Sequence, residues 1–226
     1  MSFSLSSALR ASALVAAVAL AHPALADVQI FQTATIDPNA AAFGNSLVVQ
    51  GDGTTAGDGF FGGSFFLGAD FSVSGQTTIS SVGADFINTA NTASSGSIFA
   101  AIVRVDPKTG LPLAGVENLA SITLGEVVFT PGQDGDVTAD LSLQLGAGTY
   151  GLVFGSGLFG ANGVADILAG NDPFGSPSIF ENDFAPFAQD GQDNDVRLFV
   201  NAVPEPASVA LLGAGLLLTG LIRRRA

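Results

Sequence analysis

The sequence contains no cysteine and no tryptophan, one tyrosine (Tyr150) and one histidine (His22). Each absence removes a class of chemistry. Without cysteine there is no thiol nucleophile, no zinc–thiolate centre and no disulfide framework, so the fold depends on its apolar core, on bound ions, or on both. His22 lies in a segment expected to be removed, which leaves the remainder without imidazole. Ser-His-Asp machinery and the usual histidine ligands of catalytic zinc are then excluded. Basic residues are equally scarce. Between Asp27 and Val203 only Arg104, Lys108 and Arg197 are basic, against nineteen acidic residues, a net charge of −16. Phosphate backbones are bound through lysine and arginine, so nucleic acid is excluded as a partner. A surface this acidic keeps a protein soluble and draws divalent cations.

The ends are the most informative parts. Arg10 is followed by the apolar run Ala11–Ala21 and then by Ala24-Leu25-Ala26 before Asp27. A basic start, a short apolar stretch and an A-x-A site are the order of a secretory signal. Cleavage is expected between Ala26 and Asp27, with residues 1–26 forming a signal helix. At the other end, Val203-Pro204-Glu205-Pro206 precedes the sixteen-residue apolar run Ala207–Ile222, and Arg223, Arg224 and Arg225 follow. As a helix that run spans roughly 24 Å, somewhat short of the ~30 Å hydrocarbon core, a gap that snorkelling arginines and local thinning can cover. The arginines are expected to stay on the cytoplasmic side, leaving the bulk of the chain outside.

Pro-Glu-Pro, one apolar helix and a terminal arginine cluster, in this order, resemble the PEP-CTERM sorting domain. The resemblance covers about the last 24 residues. It implies processing near Pro204–Pro206 by an exosortase, an integral-membrane cysteine protease, with the membrane engaged through residues 207–222. It also implies delivery to the cell surface or to the exopolysaccharide matrix of a biofilm-forming bacterium. A permanent single-span anchor is the alternative reading of the same residues.

Residues 27–203 are long enough for one domain with a sizeable core. Strands are expected at Val28–Thr35, Ser46–Val49, Ser64–Val73, Thr78–Asn88, Ser97–Val105, Ser121–Phe129, Val137–Leu145, Thr149–Phe154 and Asp195–Ala202. Val137, Ala139, Leu141, Leu143 and Leu145 alternate with polar residues, the period of a half-buried strand. Val196, Leu198 and Val200 alternate with Arg197, Phe199 and Asn201 in the same way. Ile98 to Val103 is apolar on both faces and therefore belongs in the middle of a sheet. Gly146-Ala147-Gly148 reads as a tight hairpin, and Val164–Ala169 as a single helical turn. Many short strands with glycine-rich turns and no sustained helical period give an all-β fold, a jelly roll or β-sandwich. The run L-x-L-x-x-G-T-Y-x-L-V ending at Val153 is similar to choice-of-anchor domains, which implies a jelly-roll-like ectodomain and no particular activity.

Three features remain as candidates for chemistry. Asp134-Gly135-Asp136 and the loop Asp190-Gly191-Gln192-Asp193-Asn194-Asp195 offer closely spaced oxygens of the kind calcium takes. In the second loop Asp190, Asp193 and Asp195 would be the ligands. It lacks EF-hand register, so a solvated turn leading into the last strand is the other reading. Phe174, Phe180, Phe184 and Phe187 either form an exposed platform or fold inward to close one end of the domain. No catalytic residues are identified and no enzymatic activity is expected. The chain reads as three parts: signal (1–26), ectodomain (27–203) and sorting segment (204–226). Its expected role is that of an exported structural or interaction protein. A polysaccharide-binding module, assisted by calcium, is the alternative; otherwise no cofactor is expected.

Overall fold

The computed structural model describes residues 26–36, 46–50, 65–88, 94–132, 134–168, 179–183, 187–189 and 196–204. Its strands are β1 (Val28–Gln32), β2 (Ser46–Gln50), β3 (Phe65–Val73), β4 (Thr77–Ile87) and β5 (Ile98–Arg104). A 3-10 turn (Val116–Asn118) and a one-turn helix, α1 (Leu119–Ile122), lead into β6 (Thr123–Phe129). Then follow β7 (Gly135–Leu145), β8 (Gly148–Gly155), β9 (Val164–Leu168), β10 (Ile179–Asp183), β11 (Ala188–Gln189) and β12 (Leu198–Val203). The fold is all-β, as the strand periodicity requires.

The strands make two sheets. One has the order β1-β12-β4-β9-β2, with β7 added to β4; the other has the order β11-β10-β3-β8-β5-β6. One core cluster draws on both, including Ile79, Ala84 and Phe86 from β4, Leu198 and Val200 from β12, and Ile98, Ile102, Leu152 and Phe154 from the second sheet. Phe86, Phe129 and Phe154 form a triangle of edge-to-face rings with centroids 6.0–6.4 Å apart, the geometry that aromatic quadrupoles favour. Phenylalanine thus fills the middle of the core in a chain that has no tryptophan.

A second cluster covers the opposite face of the second sheet. Phe99, Ala101 and Val103 of β5 pack there with Leu119 and Ile122 of α1, with Phe66 and with Phe187. This explains why β5 is apolar on both faces: it lies between β8 and β6, and its alternate residues enter different cores. In β7, Ala139, Leu141 and Leu145 are buried, Leu143 is half-buried, and Asp140, Ser142 and Gln144 between them are exposed, the alternation expected of a half-buried strand.

Two readings of the sequence need correction. Val164–Leu168 is strand β9, not a helical turn; all five of its residues pair with β2, from Gln50↔Val164 to Ser46↔Leu168. Gly146-Ala147 does not close a hairpin. β7 pairs with β4 in the first sheet, whereas β8 pairs with β3 and β5 in the second, so this turn carries the chain from one sheet to the other. The β3–β4 connection makes the same crossing beside it, since Val73 pairs with Gly148 and Thr77 with Leu145. The Tyr150 hydroxyl donates to the Gly146 carbonyl at 3.1 Å and braces the crossing. β10 and β11 lie outside the strands expected from periodicity. Of the four clustered phenylalanines, Phe187 is buried; no side-chain environment is described for Phe174, Phe180 or Phe184.

Candidate functional site

The last strand connects the folded domain to the tail. Leu198, Val200 and Ala202 point into the core, and β12 lies between β1 and β4. Val28 pairs with Ala202 and Gln29 with Asn201; after a bulge, Phe31 pairs with Val200 and Gln32 with Phe199. Thr33 fastens the far end of this pairing. Its N–H donates to the Leu198 carbonyl at 3.0 Å, its hydroxyl donates to the Val196 carbonyl, and the Leu198 N–H donates back to that hydroxyl at 2.8 Å. Burial ends abruptly: Ala202 is 3% exposed and Val203 is 41% exposed. Pro204, which has no N–H to give to a ladder, comes directly after the strand.

Arg197, directly before β12, and the outward residues Phe199 and Asn201 of β12 form the polar centre of the domain. Arg197 is one of three basic residues between Asp27 and Val203, and it is buried. Its Nε and Nη2 donate to the two carboxylate oxygens of Asp136, each at 2.8 Å. Its Nη1 donates to Gln32 Oε1 at 2.7 Å and to the Ala34 carbonyl at 2.6 Å. The guanidinium also lies 5.1 Å from the ring centroid of Phe199, within cation–π range. One side chain therefore joins β12 to β7 and to the segment just after β1. Phe199 covers Gly83, where a side chain would collide with its ring and with the Val137 carbonyl. Asn201 Nδ2 donates to Ser81 Oγ at 3.0 Å.

Asp85 stands in this row, directly opposite Asp136 on β7, and its N–H donates to the Arg197 carbonyl at 3.1 Å. It is 3% exposed, and among the described residues its Oδ1 has no hydrogen-bond partner. Burial raises its pKa from 3.8 to about 6; the charges of Asp136 and Asp134 add to the rise and Arg197 opposes it.

The first acidic cluster singled out in the sequence is thus engaged by protein donors. Asp136 holds Arg197, and Asp134 Oδ1 accepts from the N–H and side-chain amide of Asn88 at 2.8 and 2.9 Å. Among the described residues no group of three or more His, Cys, Asp or Glu could hold a metal ion. Asp190, Asp193 and Asp195, the calcium ligands suggested by the sequence, lie outside the described residues, as do Ala24, Glu205, Pro206 and Arg223–Arg225. Ala26 and Asp27 are exposed at the start of β1. Among the described residues no helix is long and apolar enough to cross a membrane; Ala207–Ile222 is not among them.

The chain beyond β12 is of a known kind. Residues 202–225 match the PEP-CTERM protein-sorting motif. The motif marks an exported protein processed at the membrane by an exosortase. Its match begins at Ala202, inside β12, so the fold and the PEP-CTERM motif overlap by two strand residues. No curated protein and no solved structure matches the chain. Arg197 was visible in the sequence as an outward residue of the last strand. Its burial was not, because Asp136, Gln32 and Ala34 are remote along the chain.

Proposed function

We propose that this is a non-catalytic structural or interaction protein of the cell surface or extracellular matrix, brought there by its PEP-CTERM tail and released by cleavage near Pro204–Pro206. The carrying observation is the direct junction of that motif to an interior strand of a β-sheet domain. The polar centre favours the same reading. Arg197, Asp136, Asp134 and Asn88 are occupied with one another and with backbone, in the manner of groups that hold strands together. The two crossings between sheets, at β3–β4 and β7–β8, are compatible with a jelly-roll-type ectodomain. The alternative reading is a polysaccharide-binding module assisted by calcium at Asp190, Asp193 and Asp195.

Intact-mass analysis of the protein from membrane and medium fractions of its host tests the proposal. A released species beginning at Asp27 and ending near Pro204–Pro206 is the expected result. A species retaining Arg223–Arg225 and confined to membranes would instead mean a permanent anchor. Turnover of a polysaccharide that disappeared on replacing a single carboxylate would overturn the non-catalytic assignment.

A further inference from the structure

We infer that the tail is processed on the already folded domain, and that β1, the first strand of the mature chain, is the positioning element that sets Val203 as the first residue the protease can engage. The inference rests on the sorting function proposed for the tail and adds where, and on what state of the chain, the protease acts.

Three observations carry it. First, β12 is an interior strand: β1 occupies one edge and β4 the other. A cleft that binds its substrate in extended form does so through a free strand edge, and a strand with both edges taken offers none. Second, on the β1 side the occupation extends to the start of the motif. Val28 pairs with Ala202, the residue at which the family match begins, and one residue later the chain is exposed. Only Val203 separates the buried strand from Pro204, so the sequence provides no spacer between fold and motif. Third, β1 is held independently of the tail. Phe31 packs on Phe71 with centroids 5.5 Å apart, and Thr33 makes its three bonds to Val196 and Leu198. The pairing that limits access therefore belongs to the domain and survives removal of everything beyond Val203.

The opposing arrangement is a protease that peels β12 out of the sheet to reach its substrate. A reversible staple separates the two. The chain has no cysteine, so Val28→Cys with Ala202→Cys introduces its sole thiol pair. Directly opposed antiparallel residues bring Cβ atoms to about 4.5–5.5 Å, close to the range a disulfide spans. Host membranes carrying the full-length stapled precursor would be incubated with and without dithiothreitol, and the released product weighed. Oxidised and reduced forms are expected to be cut at equal rates, with one C-terminus at or beyond Val203. Cutting of the reduced form alone, with the cysteine-free parent cut equally with and without dithiothreitol, would overturn the inference while leaving the sorting reading intact. If neither form nor the parent is cut, the sorting reading fails and this inference fails with it.

Thr33→Ala gives a second test that needs no crosslink. Loosening β1 from β12 should add C-termini up to five residues upstream, within Leu198–Ala202. A single unchanged terminus in a variant whose β1 amides have lost hydrogen-exchange protection would overturn the role given to β1.

Discussion

Arg197 and Asp136 meet as a two-bond fork, Nε to Oδ1 and Nη2 to Oδ2, both at 2.8 Å, across 61 residues of chain. The guanidinium side is 7% exposed and the carboxylate side 32%, so the pair lies partly under the surface. Arg197→Met would leave Asp136 without its cation and the buried Ala34 carbonyl without a donor. Asp136 retains some water, which moderates the loss. A destabilisation of about 2–4 kcal/mol is expected by urea unfolding. Arg197→Lys should recover less than half of it, because an ammonium cannot span both oxygens and Ala34 together.

Asp85 makes stability depend on pH in a definite direction. Its pKa is about 6 in the folded protein and 3.8 ordinarily, so between those values the folded state binds the extra proton. This group's contribution is therefore greatest below pH 4 and is lost as pH rises through 6. Asp85→Asn removes the dependence. Measured as a difference from the parent, which cancels the other carboxylates, the variant should gain about 2–3 kcal/mol between pH 4 and pH 8. A flat difference across that interval would show that Asp85 is hydrated.

Glycine at 83 is a packing requirement. A methyl group there meets the Phe199 ring and the Val137 carbonyl, and a backbone atom cannot step aside. Gly83→Ala is expected to cost about 1–3 kcal/mol in thermal or urea unfolding. At Gly75 an added Cβ meets nothing within 4 Å, so Gly75→Ala should leave stability unchanged within about 0.5 kcal/mol or raise it slightly.

Phe154 makes two of the three edge-to-face contacts of the central triangle and is wholly buried. Phe154→Ala is expected to cost about 3–5 kcal/mol, enough to unfold a marginal domain. Near-ultraviolet circular dichroism of the phenylalanine bands would report the loss.

The boundary of the fold can be tested by truncation. A chain ending after Pro204 should fold with parental stability, whereas one ending after Arg197 loses Leu198, Val200 and Ala202 from the core and should not fold. Hydrogen exchange of the two chains gives the answer.

Most of the strands were legible because their signal is local. Val137–Leu145 alternates strictly, and Ile98–Val103 is apolar at every position, so each shows its burial without knowledge of its neighbours. β9 was not legible: Val-Ala-Asp-Ile-Leu is short, mixes helix and strand formers, and becomes a strand through pairing with β2 and β4. The Gly146-Ala147 turn shows the same limit. Residue types announced a tight reversal, but which sheet receives the next strand depends on β3, β4 and β5. The sorting motif was legible for the opposite reason, since a membrane-processing signal is a linear pattern. The ionic centre was hidden because its members come from the first, fourth, seventh and twelfth strands or the turns beside them.

The pairing of Val28 with Ala202 joins residues 174 positions apart and places the last of the described strands in the interior of its sheet. Loop-closure entropy makes such a contact among the slowest to form. Until β12 arrives, β1 lacks the one strand it pairs with among the described residues, and β4 keeps an open edge. The domain therefore completes itself only after residues up to Ala202 have emerged, when the apolar run Ala207–Ile222 is the next segment to follow. Arrival of that tail marks the end of a vulnerable interval in which an acidic, disulfide-free chain must be kept from pairing its open edges with a neighbour.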